Sequence, residues 1–154
     1  MNANPQPTAG RPFLLAAAWT SVAASLLHLA VIAGGPDWYR FFGAGEDMAR
    51  AAERGSPVPA IMTVVVAAIL AVWAAYAFGA NGTMRRLPLT RTALVAIAAV
   101  LLARSALVFV PGVWAPEQAL PFRIWSSAAC LAMGLCFALG TWFAWAALSQ
   151  RRSA

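Results

Sequence analysis

Two ionisable residues stand inside otherwise apolar stretches of this sequence. His28 lies six residues before Gly34, where the first apolar run ends, and Arg104 lies seven residues before Pro111, where the third ends. At 1.5 Å per helical residue, both side chains would lie about 9–10 Å below the same membrane surface. Since ionisable residues within membrane spans mark candidate functional sites, these two are the first places to look for chemistry.

The chemistry open to Arg104 depends on its partner. Its guanidinium can snorkel towards the headgroups, pair with Glu46 or Asp47 from the loop above, or bind a substrate or lipid phosphate. Among these alternatives the sequence predicts an ion pair, with Glu46 the best candidate and Asp47 the next. For His28, a hydrogen-bonded packing role stands beside ligand binding or a proton shuttle.

The chain has few of the residues that bind haem or zinc. The single histidine cannot supply two axial haem ligands, nor a zinc site without further histidines or cysteines. Cys130 and Cys136 are six residues apart, which places them about 120° apart around one helix, and they form no C-x-x-C pair. We therefore expect no cofactor and no metal.

The elements that must position these residues are four apolar runs. The chain is 62% hydrophobic and 10% charged, whereas soluble domains carry about 25% charged residues. Each run is long enough for a bilayer, which takes roughly 20 helical residues. The sequence predicts an all-α, four-helix transmembrane bundle over residues 11–150, with a disordered N-terminus at 1–10 and a tail at 151–154. The predicted spans are 13–33, 58–79, 92–110 and 122–148, and the short linker between the second and third predicts that these two are antiparallel neighbours.

The segment between the first two spans, residues 34–57, contains four of the five acidic residues. Trp38 falls where an aromatic belt at the membrane surface is expected, as does Trp125 at the start of the fourth span. Glu46 and Arg50 are four residues apart in the favourable order. The segment therefore predicts a short periplasmic amphipathic helix.

The arginines indicate the orientation in the membrane. Six lie at the chain ends or between spans two and three, and four lie on the opposite side. By the positive-inside rule both termini are predicted to be cytoplasmic. The first apolar run has 21 residues, against 7–15 for a typical signal peptide, so we expect an uncleaved span. The net charge of +6 is scattered over loop ends, which argues against a nucleic-acid partner.

The run GGPDWYRFFGAGEDMARAAERGS, together with the span leading into it, resembles small uncharacterised four-span bacterial inner-membrane proteins. The resemblance covers about the first half of the chain. It implies the same topology and a bacterial inner-membrane location, and it brings no activity, ligand or functional residue.

Two functional hypotheses follow. The first is a non-enzymatic accessory subunit, or a binder of a lipid or small amphiphilic ligand at a periplasm-facing pocket. The second is a small membrane enzyme or proton-coupled carrier that uses His28 with Glu46 or Asp47. The expected partners are the lipid bilayer and such a ligand, with a second copy of the chain or another membrane subunit left open. The candidate ligand-binding residues are His28, Arg104, Glu46, Asp47, Trp38 and Trp125.

Overall fold

A computed structural model describes residues 8–114, 118 and 120–149, and over these residues it is helical without any strand. The all-α prediction is confirmed. Thr8–Gly10 form a 3-10 turn, while the rest of the predicted N-terminal tip and the tail at 151–154 lie outside the described residues. The helices are α1 (Arg11–Phe41), α2 (Glu46–Glu53), α3 (Val58–Asn81), α4 (Thr90–Ala106, extended by a 3-10 turn at Leu107–Phe109) and α5 (Leu120–Ser149).

Four of these helices are long and apolar enough to cross a membrane: α1, α3, α4 with its 3-10 turn, and α5. Many of their large apolar side chains point outward, and Trp142 is 77% exposed. A water-soluble protein rarely exposes so much contiguous apolar surface, whereas lipid is a suitable environment for it. The helices therefore indicate a multi-pass membrane protein.

Helix α1 runs beyond the end predicted for the first span. The sequence predicts a stop at Gly34-Gly35-Pro36, but the chain kinks at Gly35 and continues as helix to Phe41. Gly35 adopts φ 69° and ψ −154°, a conformation that L side chains rarely reach. Pro36 then suits the first turn of the new segment, because proline lacks only an N–H that has no helical acceptor there. The kink turns residues 36–41 towards α2.

The long helices pack mainly as two pairs, α1 with α3 and α4 with α5, and α1 joins the pairs through α5. Helices α3 and α4 make only a minor contact, although their short linker predicted them to be neighbours. Glycines explain how closely α5 packs on its two neighbours, because a Cβ at Gly140 would lie 2.9 Å from Leu14 of α1, and one at Gly134 would lie 3.0 Å from Leu102 of α4. Small residues let helix backbones approach closely in lipid.

The α1–α3 interface contains a stripe of small residues. Ala17, Ser21 and Ser25 are all buried. The Ser25 hydroxyl donates a hydrogen bond of 2.8 Å to the Ala67 carbonyl oxygen of α3. This polar contact between two spans fixes the register of α3 against α1.

The bundle has two ends, which we name by what lies there. The α2 end contains the end of α1, α2, the start of α3, the end of α4 and the start of α5. The terminal end contains the start of α1, the α3–α4 linker and the end of α5. Contacts such as Phe13 with Phe143, and Gly43 with Phe122, establish this alternation.

Candidate functional site

At the α2 end, one arginine holds three carboxylates. Arg40 contacts Glu46 at 2.9 Å, Glu53 at 2.7 Å and Asp37 at 3.3 Å, and Arg50 contacts Glu46 at 3.0 Å. We call this group the Arg40 cluster. Hydrogen bonds from Arg40 and then Arg50 lower the pKa of Glu46 to about 2. The cluster ties α2 to the kinked end of α1.

Apolar packing supports the same placement of α2. Ala49 is fully buried against Tyr39 and Val31 of α1. The Tyr39 hydroxyl lies 3.5 Å from the Thr63 hydroxyl of α3. Helix α2 therefore lies over the ends of α1 and α3, held by packing on one face and by ion pairs on the other.

A small open cavity of about 200 Å³ lies beside the Arg40 cluster. Its lining joins the α1–α2 turn to the start of α5: Arg40, Phe41, Gly43, Gly45, Glu46, Gln118 and Phe122. The Gln118 amide donates to the Gly43 carbonyl oxygen, and a Cβ at Gly43 would lie 2.1 Å from the Phe122 ring. Gly43 and Gly45 both have positive φ, so these glycines serve the turn into α2.

Arg104 points towards the α2 end but does not reach a carboxylate. Its guanidinium carbon lies 4.4 Å from the centre of the Trp114 ring. The Trp114 indole N–H is fixed by a 2.9 Å hydrogen bond to the Leu107 carbonyl oxygen. Within the described part of the chain, Arg104 makes no ion pair, and its Nη1 is buried without a hydrogen-bond partner.

The predicted pairing of Arg104 with Glu46 or Asp47 is therefore wrong for the described residues. Arg40 lies six residues before Glu46 at the end of α1, and its guanidinium occupies this carboxylate. Asp47 is exposed and makes no ion pair among the residues described. Arg104 snorkels, as one of the three interpretations proposed, and meets an aromatic ring at the end of its reach.

A second buried polar group without a partner lies on α5, the helix that packs against α4. Ser127 is 5% exposed, and its hydroxyl has no hydrogen-bond partner among the described residues. Ser127 lies two helical turns from Gly134 and so shares its face, which packs against Leu101 and Leu102 of α4.

The levels of Ser127 and of the end of α4 agree. Counted from Gly134 at about 1.5 Å per residue, Ser127 is about 10 Å nearer the α2 end. On α4, Leu107 is about 8–9 Å nearer the α2 end than the two leucines that pack on Gly134, by the same rise. The carbonyl oxygen of Leu107 holds the Trp114 ring, over which the Arg104 guanidinium lies. By this count Leu107 and Ser127 fall at similar levels of α4 and α5, which pack together, and we call the place formed by Arg104, Trp114 and Ser127 the Arg104 site.

Sequence reasoning did not single out Ser127. In the sequence, a stripe of small residues at four-residue spacing is the more obvious small face of α5: Ser126, Cys130 and Gly134. In the structure the Ser126 hydroxyl bonds back to the Arg123 carbonyl oxygen at 3.3 Å, as serines in helices commonly do. Only Gly134 of that stripe is buried. The seven-residue spacing from Ser127 to Gly134 was the signal that could have found this residue.

His28 is occupied by its own helix. Its Nδ1 lies 2.7 Å from the Ala24 carbonyl oxygen one turn earlier, and the ring is partly buried. No hydrogen bond or ion pair joins it to Glu46 or Asp47 in the part of the chain that the structure describes. The local bond identifies Nδ1 as the ring nitrogen that donates, so Nε2 is the acceptor in the neutral ring.

The two tryptophans expected at the rim are both at the α2 end. Trp38 packs against Gly34, where a Cβ would lie 2.1 Å from its ring, and its ring centre lies 5.7 Å from that of Phe42. Trp125 is 75% exposed near the start of α5. Neither lines the cavity beside the Arg40 cluster. Trp114 and Phe122, whose ring centres are 6.5 Å apart, instead connect that cavity with the Arg104 site.

Comparisons with protein-family models, with curated proteins and with solved structures found no match to this chain. The function is therefore argued from the arrangement of the side chains alone.

Proposed function

We propose that this chain is a non-enzymatic membrane protein that binds an amphiphile with an anionic head group at the Arg104 site. The head group would accept hydrogen bonds from Arg104 and from Ser127, with Trp114 covering the guanidinium. Its apolar tail would lie along the lipid-facing surface of α4 and α5. The site keeps one residue of the sequence-based proposal, Arg104, and adds two others.

The observation that carries this proposal is the buried Nη1 of Arg104 without an acceptor. Leaving a buried donor unsatisfied costs about 1–3 kcal/mol, and more when the group is charged. A phosphate or carboxylate would remove this cost, and the flat guanidinium is well suited to either because it can donate two parallel hydrogen bonds. The guanidinium carbon lies over the Trp114 ring, and a guanidinium in such a position can still donate hydrogen bonds from the edge of its plane.

The geometry gives less support to an enzyme or proton-coupled carrier that uses His28. Such a mechanism needs a proton partner for the ring, and the carboxylate of Glu46 is engaged by Arg40 and Arg50. A low pKa of about 2 also keeps Glu46 ionised at neutral pH, so it would not exchange protons there.

The proposal places the protein in a bacterial inner membrane with both termini in the cytoplasm. The six arginines at the chain ends and in the α3–α4 linker support this orientation. Helix α2, the cavity and the Arg104 site would then face the periplasm. Reporter fusions at residue 154 that are active only in the periplasm would contradict this orientation.

Native mass spectrometry of gently purified protein tests the binding proposal. We expect a co-purified anionic amphiphile, with occupancy reduced about tenfold or more in Arg104→Gln, because a hydrogen bond to a charged group is worth about 1.5–3 kcal/mol. Arg104→Lys should keep part of the binding, since it retains the charge but loses the planar fork. Arg54→Gln is the matched control, because Arg54 is an exposed arginine at the same end.

Competition with added ligands distinguishes an amphiphile from a free phosphate as the bound anion. A phosphatidylglycerol and a fatty acid should each bind and displace the co-purified amphiphile, whereas soluble glycerol phosphate should not. Equal occupancy in wild type and Arg104→Gln would refute the proposal. Binding of glycerol phosphate alone would show a free phosphate site and would also overturn the proposed amphiphile.

A further inference from the structure

Counted by position along the chain, the net charge of the protein comes from the segments of the terminal end. All five acidic residues belong by chain position to the α2 end and to the connections there, together with five of the eleven arginines, so these charges cancel. The remaining six arginines account for the net charge of +6. They are Arg11, Arg85, Arg86, Arg91, Arg151 and Arg152.

Two arginines of the terminal end, Arg91 and Arg86, contact the last turns of α5. Arg91 lies over the Trp145 ring, with its guanidinium carbon 3.8 Å from the ring centre. Arg86 donates a 3.0 Å hydrogen bond to the Ala147 carbonyl oxygen. Arg11 follows Gly10, whose Cβ position is 2.9 Å from the Gly140 carbonyl oxygen. Three separate segments thus bring positive charge to one helix end.

Among the described residues, no carboxylate forms an ion pair with Arg11, Arg85 or Arg91. Arg85 is exposed, and Trp145 and Trp142 are 46% and 77% exposed. Tryptophan side chains favour the headgroup level of a membrane. A guanidinium that lies over an aromatic ring can still donate hydrogen bonds from its edge, which carries the N–H groups.

We propose that the terminal end binds the headgroup of an anionic phospholipid, with its phosphate on Arg91 and Arg85 and with Trp145 at the level of the glycerol backbone. The occupant is a lipid because the cationic groups are accompanied by exposed indole rings at the end of apolar spans. Basic pockets beside membrane-spanning helices are known recognition sites for such headgroups. This site lies at the opposite end of the bundle from the Arg104 site and does not depend on it.

Lipid exchange in nanodiscs tests the proposal. The protein is placed in phosphatidylcholine with increasing phosphatidylglycerol, and the lipids retained around it are measured by native mass spectrometry after ejection. We expect enrichment of phosphatidylglycerol over its bulk fraction. In an Arg104→Gln background, which removes the other proposed site, Arg91→Gln and Arg85→Gln should each lower this enrichment about fivefold, since one basic residue near an anionic surface contributes about 1 kcal/mol.

The controls make each outcome decisive. Arg54→Gln removes an exposed arginine from the α2 end and should leave the enrichment unchanged. Arg85→Gln remains informative if Arg91→Gln fails to fold, because the Arg85 side chain makes no contact that the described residues record. In the Arg104→Gln background, equal enrichment with and without Arg85→Gln, or an equal loss in Arg54→Gln, would overturn the proposal. Loss of the whole enrichment in Arg104→Gln alone would assign the lipid to the other site and would also overturn it.

Discussion

Replacing Gly43 by alanine probes the contact that joins the α1–α2 turn to α5. Gly43 has φ +68°, and a Cβ there would lie 2.1 Å from the Phe122 ring. Two effects therefore add. A non-glycine residue in the left-handed region costs about 1–2 kcal/mol, and forcing extra volume into a packed contact costs typically about 1–3 kcal/mol. We expect Gly43→Ala to lower the free energy of unfolding by about 2–5 kcal/mol, as the sum of these two ranges.

Gly55→Ala is the matched control for backbone strain. Gly55 has φ +73°, close to that of Gly43, but a Cβ there would meet nothing within 4 Å. Its substitution should cost only the strain, about 1–2 kcal/mol. The difference between the two variants isolates the contact with Phe122. In the background of Phe122→Ala, Gly43→Ala should cost no more than Gly55→Ala.

Reversible unfolding in mixed micelles, followed by circular dichroism, measures these differences. The same preparations report on function, because Phe122 contacts Trp114, and Trp114 covers Arg104. Displacing Phe122 should therefore reduce occupancy of the Arg104 site, while Gly55→Ala should not. If Gly43→Ala and Gly55→Ala were equally stable and bound ligand equally, the contact between the turn and α5 would have no energetic role.

Three further predictions concern the polar groups. The pKa of Glu46 is lowered from 4.5 to about 2 in the folded state. The contribution of this carboxylate to stability is therefore complete above pH 4.5 and is lost as the pH falls towards 2. The melting temperature of Glu46→Gln should accordingly depend less on pH across this window than that of wild type. Ser25→Ala removes the bond to Ala67 and should lower the unfolding free energy by about 1 kcal/mol in micelles, whereas an unchanged value would show that water replaces the contact. His28→Gln should leave ligand occupancy unchanged from pH 5 to 8, because the ring bonds to its own helix; loss of a pH-dependent occupancy in this variant would favour the proton-shuttle hypothesis.

The elements of this fold could be predicted because the bilayer demands them. A span needs about 20 apolar residues, and the apolar runs of this chain satisfy that requirement without ambiguity. Helix α2 was equally accessible, since Glu46 and Arg50 have helical spacing and do pair. The kink was not, because Gly34-Gly35-Pro36 is equally compatible with a helix end and with a helix that restarts. The contact of Trp38 with Gly34 favours the restart here.

The choice of helix partners could not be predicted from linker length. The short linker between α3 and α4 brings their ends together but does not bring their faces together. Helix α5 packs closely on its neighbours where a large side chain meets a glycine, as Leu14 meets Gly140 and Leu102 meets Gly134. A single sequence rich in alanine and leucine offers many such combinations, and only three-dimensional packing selects among them.

Arg40 and Arg104 show why the candidate site differs from its sequence-based prediction. Both point to the α2 end, and the acidic residues there were expected to serve the deeper one. Arg40 takes them because the pairing occurs at the surface, where the carboxylates keep part of their hydration. Carrying a carboxylate from α2 down to Arg104 would cost several kcal/mol of hydration energy per ion.

An amphiphile avoids that cost by a different route. Its anionic head arrives attached to an apolar tail, and the tail gains about 0.8 kcal/mol for each CH₂ group that it buries. Burial of the tail thus offsets the hydration free energy that the anionic head loses. An acidic side chain of α2 has no such tail and cannot offset its own loss of hydration. An arginine with a buried, unpartnered Nη1, close to an indole ring and paired with no carboxylate of the described residues, is in this sense a better site for a lipid-like anion than for a protein side chain.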